Sequence, residues 1–242
     1  MLRITDARTG HPVPAAPVRR GLTRVEVHAP AHGTGALRVL LVADVLVRAL
    51  ELDGTPVWTL LTGDHERADL RAAAALGIRP FEDTGGGAAG LGGAQALHVA
   101  PAGADVPDGV LVEVADVDAQ DAVPMEGAGP DPAALRLALL SERRDVPVRL
   151  DAAALGEAGD TLGRWRRTVA DWARLPSRPV PEALRVRLRA AWEDDLDVPQ
   201  VLRVLREVED DPDLPPGARF ETYAYADRLL GLELTREIGT HA

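Results

Sequence analysis

The 242-residue chain carries 27 Lys+Arg against 38 Asp+Glu, a formal net charge of −11, with 46% hydrophobic and 27% charged residues. That composition is globular and long enough for one large core or two modest ones. It holds no apolar run of the roughly 20 residues a membrane span needs, and its charge disfavours non-specific contact with nucleic acid or anionic membrane. Every basic residue counted is Arg, and neither Lys, Asn nor Cys occurs. Disulfides, thiolate metal sites and cysteine nucleophiles are therefore excluded, as are a P-loop, a Schiff base and any lysine phosphate clamp. The start, Met1-Leu2-Arg3-Ile4-Thr5-Asp6, has no signal-peptide apolar stretch, so a cytoplasmic protein is expected.

Arg24-Val25-Glu26-Val27-His28 alternates as a half-buried strand does. The apolar run 37–42 and the apolar face of 44–52 predict one helix over 38–52, its first half buried against a sheet. Gly54 ends it, and 56–61 follows as a parallel strand, which makes a right-handed strand–helix–strand unit. A helix over 68–76, stopped by Gly77, and short strands at 97–99 and 110–114 come next. Residues 84–94, TGGGAAGLGGA, lack the spacing of a dinucleotide fingerprint. They read as a flexible loop or the scar of a deleted insertion, with a phosphate cradle as the less favoured alternative.

From Pro132 onward no strand pattern is evident. Helices are predicted over 133–141, 152–175, 181–196, 199–209 and 221–230, with proline at two first turns, where its missing N–H costs little. Trp165, Trp172 and Trp192 are expected as packing anchors. Residues 143–189 hold eleven Arg against six acids, and 193–213 hold nine acids against two Arg. Neighbouring helices that neutralise each other are expected in preference to a phosphate-binding surface. The predicted architecture is a reduced Rossmann-like α/β domain of the HUP type over 1–130, followed by an α-helical bundle over 131–242.

Several segments, in order, resemble the class I aminoacyl-tRNA synthetases, and the cysteinyl-tRNA synthetases in particular. Leu2-Arg3-Ile4-Thr5-Asp6 resembles that family's opening LRxYNTLT. Val25-Glu26-Val27-His28-Ala29-Pro30 falls where the family has a strand ending in Cys-Gly-Pro, and Gly33-Thr34-Gly35-Ala36 falls at its HIGN/HIGH signature. Asp44-Val45-Leu46-Val47-Arg48-Ala49-Leu50 follows the DVLxRYL helix, and Thr62-Gly63-Asp64 takes the place of TDxDDK. Leu135-Arg136-Leu137-Ala138-Leu139-Leu140-Ser141 resembles LRxFLLS. Asp194-Asp195-Leu196-Asp197-Val198-Pro199 is similar to DDLNTP, the most specific match, and Leu229-Leu230-Gly231-Leu232 resembles LGLL. The resemblance touches most of the chain, which is about half as long as the family's members.

The resemblance implies ATP-dependent activation of an amino acid, but the positions that carry it have changed. Gly33 and Ala36 stand where the signature has histidines, Gly35 alone matches, and His32 lies one residue early. No lysine is present for the KMSKS signature, of which Met125 is at most a remnant. The family's zinc is held by thiolate, His and Glu, whereas His28 occupies the cysteine position; His28 and His98 read as lone structural or surface histidines, and no zinc is expected. Loss of one preorganised charge-stabilising group typically costs about 2.7–4 kcal/mol, roughly 10²–10³ in rate, and three kinds are missing. Charging of tRNA is not expected.

A non-charging paralogue with a binding or regulatory role is the first expectation, with a protein partner left open. A small ATP-dependent ligase reusing the pocket, analogous to the cysteine-ligating mycothiol enzymes of the same superfamily, is the alternative. RNA binding through the arginine-rich helices is the weakest reading. The candidate cofactor-binding residues are His32, Gly33, Thr34, Gly35 and Asp105, with ATP, AMP or an aminoacyl-adenylate as ligand. They are expected at the carboxyl end of the 24–28 strand, where open parallel sheets place their crevices; Asp105 is assigned a ribose hydroxyl.

Overall fold

The computed structural model describes residues 1–17, 22–63, 65–83, 95–119 and 131–240. The chain opens with an antiparallel hairpin, β1 (Arg3–Asp6) and β2 (His11–Pro14). The central sheet follows: β3 (Thr23–Val27), β4 (Val57–Leu61), the two-residue β5 (Glu82–Asp83), β6 (Gln95–Pro101) and β7 (Val110–Val114). Its order is β5-β4-β3-β6-β7, parallel throughout. Helix α1 (Gly33–Leu52) links β3 to β4, and α2 (Arg67–Ala75) lies between β4 and β5. This is a Rossmann-like α/β arrangement.

Helix α1 organises the core. Every residue from 36 to 47 is buried, and the helix touches β3, β4, β6 and β7 as well as α2 and the last helix, α7 (Pro216–Leu230). A helix that is apolar nearly all round must be covered nearly all round. From the helical half α7 packs on it, and that half also holds α3 (Pro132–Leu139), α4 (Ala152–Trp172), α5 (Glu182–Glu193) and α6 (Val198–Asp210). Helix α4 packs on α3 and α7, and α5 packs on α6. Trp165 and Trp172 meet Tyr223 edge-on at 5.7 and 5.3 Å, and Trp192 lies 5.4 Å from Tyr225, so the tryptophans do anchor the packing. One apolar core runs without a break across residue 131.

Three sequence expectations need correction. Helix α1 begins at Gly33 rather than 38, so Thr34 and Gly35 form its first turn instead of preceding it. A strand does exist beyond Pro132: β9 (Val148–Leu150) pairs in parallel with β8 (Val117–Ala119). Three residues are too few to show a period, and the strand is defined by its partner. Helix α7 begins at Pro216 and not 221, because Pro215-Pro216 favours a helix start. The glycine-rich 84–94 segment, Asp64, Met125 and the junction at 127–130 lie outside the described residues.

Two buried ionic joints tie the first half to the second. Asp44 Oδ2, on α1, accepts from Arg136 Nη2 at 2.6 Å and from Arg48 Nε at 2.8 Å, and Oδ1 accepts from Arg79 Nε at 3.2 Å. Arg136 also donates to the Leu230 and Leu76 carbonyls at the ends of α7 and α2, at 2.6 and 3.0 Å. Burial pushes the Asp44 carboxyl up, but the Arg136 and Arg48 charges outweigh it and hold the group below the usual carboxylate range. At the second joint Asp195 Oδ1 accepts from Arg144 Nη2 at 2.7 Å and from the Thr5 amide of β1 at 3.0 Å. The expected neutralisation between charged helices also occurs: Arg164 of α4 meets Glu209 of α6 at 3.0 Å, and Arg187 of α5 meets Glu207 of α6.

Candidate functional site at the carboxyl end of the sheet

β3 ends at Val27, and five residues separate it from α1. His32 is the N-cap, in extended conformation and without a side-chain cap bond, and the first turn of α1 contains no acid. The backbone N–H groups there have no side-chain acceptor from the cap, and the helix dipole leaves them partially positive. Gly33 has φ +93, a conformation suited to glycine, and no atom stands within 4 Å of where a Cβ on Gly33 or Gly35 would lie. Both glycines face open space instead of relieving a tight contact. Thr34 is half-buried between them.

His32 Nδ1 lies 3.0 Å from Asp69 Oδ2 on α2. That hydrogen bond, reinforced by the Asp69 and Glu66 charges, raises the exposed His32 above the ordinary histidine value. His32, Gly33, Thr34 and Gly35 are thus one contiguous turn. Asp105 lies past the end of β6, the strand beside β3, and is exposed. It is at the same end of the sheet but on a separate loop.

The register also brings together residues that sequence reading kept apart. Glu26 of β3 pairs in register with His98 of β6, and His28 follows Glu26 on the same strand face. His28 Nε2 stands 3.0 Å from His98 Nδ1, and Glu26 Oε2 stands 3.4 Å from His98 Nδ1 and 4.0 Å from His28 Nε2. Each of the three is oriented from behind. Thr62 Oγ1 lies 2.9 Å from His28 Nδ1, the Asp108 carbonyl lies 3.2 Å from His98 Nε2, and Arg24 Nε pairs with Glu26 Oε1 at 2.7 Å. Gly109 closes over His98: a Cβ there would meet the ring at 2.8 Å. Burial lowers both imidazoles below the ordinary histidine value.

The family's thiolate-containing zinc set does not fit this chain, which has no cysteine. Two nitrogens and one oxygen are present in its place. His28 and His98 are accordingly a pair and not lone residues. Two signals bore on this: Glu26 and His28 share a strand face at spacing two, and His98 interrupts the apolar run Ala96-Leu97-His98-Val99-Ala100. The pairing of residues 70 positions apart came only from the sheet register.

No protein-family model matches the chain. Curated relatives do, among them several named L-cysteine:1D-myo-inositol 2-amino-2-deoxy-alpha-D-glucopyranoside ligase. That of Thermobifida fusca is 31% identical over 190 residues, 73% of this chain and 40% of the relative. That of Frankia casuarinae is 33% identical over 135 residues, 56% of this chain and 25% of the relative. That of Parafrankia sp. is 43% identical over 74 residues, 31% of this chain and 16% of the relative. The chain is therefore related to class I synthetase-like ligases, and it spans less than half the length of these curated relatives. Among the described residues no helix is long and apolar enough to cross a membrane.

Proposed function

We propose that this chain binds a nucleotide or aminoacyl-adenylate-like ligand at the β3–α1 turn, as a reduced synthetase-like ligase relative that does not charge tRNA. The supporting observation is the amino end of α1: an uncapped twenty-residue helix whose first turn holds Gly33 and Gly35, both facing open space, beside a His32 held toward its charged form by Asp69. Oriented N–H groups, a dipole and an adjacent cation suit a phosphate. In this reading 1–130 carries the ligand and 131–242 is a helical bundle that supports α1 from behind. The changed signature positions and the lack of lysine argue for a binding or regulatory role with weakened adenylate chemistry. A retained ATP-dependent ligase activity is the second reading, favoured by the ligase names of the curated relatives.

A ligand that binds the native state raises its melting temperature by mass action. AMP, ATP and a sulfamoyl-adenylate analogue should each raise that of the wild-type chain. Gly35→Val is expected to leave the fold intact, because outside its own helix turn no atom stands within 4 Å of the new Cβ. It should abolish the nucleotide-induced shift; an unchanged shift in this variant ends the proposal. Pyrophosphate release dependent on an added amino acid would select the ligase reading.

A further inference from the structure

The carboxyl end of the sheet brings together three side-chain atoms of the kind that hold metal ions, one each from Glu26, His28 and His98. The Thr62 hydroxyl donates its one hydrogen to the Val27 carbonyl, at 3.0 Å. In that arrangement its oxygen accepts from His28 Nδ1–H, 2.9 Å away, and the neutral ring leaves Nε2 bare. The Asp108 carbonyl can only accept, so His98 carries its hydrogen on Nε2 and leaves Nδ1 bare. Two lone pairs thus face each other at 3.0 Å, with a carboxylate oxygen 3.4 and 4.0 Å from them. The hydroxyl can instead donate to Nδ1, and His28 Nε2–H then donates to His98 Nδ1, so a cation takes the place of a single proton between the rings.

We propose that Glu26, His28 and His98 form a binding site for one divalent transition-metal cation of borderline softness, with zinc as the type. The three donor atoms lie on a triangle of edges 3.0, 3.4 and 4.0 Å. A point about 2.1 Å from all three exists, which is the length of a zinc–nitrogen or zinc–carboxylate bond. Two imidazoles and a carboxylate suit such a cation better than calcium or magnesium, which take oxygen ligands. The surroundings are those of a metal site: each ligating histidine gives its far N–H to an oxygen, and the carboxylate's other oxygen is held by Arg24. Without metal a neutral His28 Nε2–H donated to His98 Nδ1 satisfies both rings, and on binding the cation that proton passes to Nδ1, where the Thr62 oxygen accepts it. His98 is buried, while His28 and Glu26 keep some exposure, so the cation can enter from that side and retain a fourth position for water.

Equilibrium dialysis of the purified full chain against Zn²⁺, and titration with Co²⁺ followed by its visible ligand-field bands, test the site. One equivalent per chain is expected. His98→Ala and Glu26→Gln should each lose it, and Thr62→Val, which removes only the oxygen behind His28, should weaken it about 10–100-fold. Circular dichroism of each variant without metal separates lost binding from lost folding. Should His98→Ala fail to fold, Glu26→Gln and Thr62→Val carry the test. No stoichiometric uptake, or uptake unchanged in both of these variants, overturns the proposal. So does histidine ¹⁵N spectroscopy in which added Zn²⁺ leaves the His28 and His98 ring nitrogens unmoved. The readouts do not involve nucleotide, so failure here and failure at the α1 turn are distinguishable.

Discussion

The Asp44 joint and the Glu26–His28–His98 cluster are both polar groups set into the α/β half, and they are built on opposite principles. At Asp44 one carboxylate faces three arginines, and the spare donors of Arg136 end on the Leu230 and Leu76 carbonyls. Donors and acceptors alternate and the charges compensate. At Glu26 three ligand-type atoms point at one another, and the Thr62 hydroxyl, the Asp108 carbonyl and Arg24 orient them from behind. The first arrangement needs nothing more and holds helices together. The second, in our proposal, takes up a cation in place of one proton. A buried polar cluster is therefore assigned by which of its atoms converge and what orients them, and not by its count of charges.

The largest expected effect breaks the first region. Asp44→Ala strands the fully buried Arg136 guanidinium without its counter-ion, and removing one partner of such a pair costs about 3–5 kcal/mol. Urea unfolding should show that loss; a cost under about 1 kcal/mol, the range of surface pairs, would make the joint no more than a surface contact. Asp195→Ala should follow at about 3 kcal/mol by the same reasoning, since it unpairs buried Arg144 and releases the Thr5 amide. Limited proteolysis should then cut near the N-terminal hairpin first. Neither substitution should alter metal uptake at Glu26, and a joint effect would erase the contrast between the regions.

These two joints also explain what was legible in the sequence. Asp44, Arg48, Arg136 and Leu230 came from three separate segments of the family resemblance, and Thr5 and Asp195 from two more. In the structure they converge on the two joints. The resemblance thus marked the scaffold well. Helices and longer strands were readable because 3.6- and 2-residue periods need about ten and five residues to show. The strands β5, β8 and β9 have two or three residues and no period, so only pairing defines them. The α1 turn was legible from its glycines. His98 was not, because its relation to Glu26 and His28 rests on a strand register that no local pattern encodes.

A subtler change sharpens the comparison from the second side. Gly109 has φ +149, and a Cβ there would lie 2.8 Å from His98 Cδ2 and 3.0 Å from the Ala96 carbonyl. Gly109→Ala is expected to cost roughly 1–3 kcal/mol through strain, and to push the His98 ring off its Asp108 carbonyl. Zn²⁺ uptake should weaken along with stability, whereas Asp44→Ala lowers stability alone. If Gly109→Ala leaves uptake unchanged, the His98 ring is not held in place by this contact.

The smallest effect concerns pH at the α1 turn. His32 is fully exposed, and its value is raised by the Asp69 hydrogen bond first, then, against a small opposing effect of desolvation, by the Asp69 and Glu66 charges of α2. The first turn of α1 offers no further acid. A raised histidine is charged below its folded value and loses that charge as pH rises through it. Any stability from the His32–Asp69 pair is therefore fully present below about pH 6.5, the ordinary histidine value, and lost above the folded one. Full exposure makes its effect on melting too small to be the useful readout. The useful readout is AMP affinity, because a protonated His32 adds a unit positive charge beside the amino end of α1. Affinity should fall as pH rises, with the midpoint moving lower in Asp69→Asn. The phosphate of AMP titrates near pH 6 itself, so the comparison is the difference between wild type and His32→Gln at each pH. Profiles of the two proteins that run parallel would remove His32 from the site and leave the helix dipole and Gly33–Gly35 amides as its only attraction for phosphate.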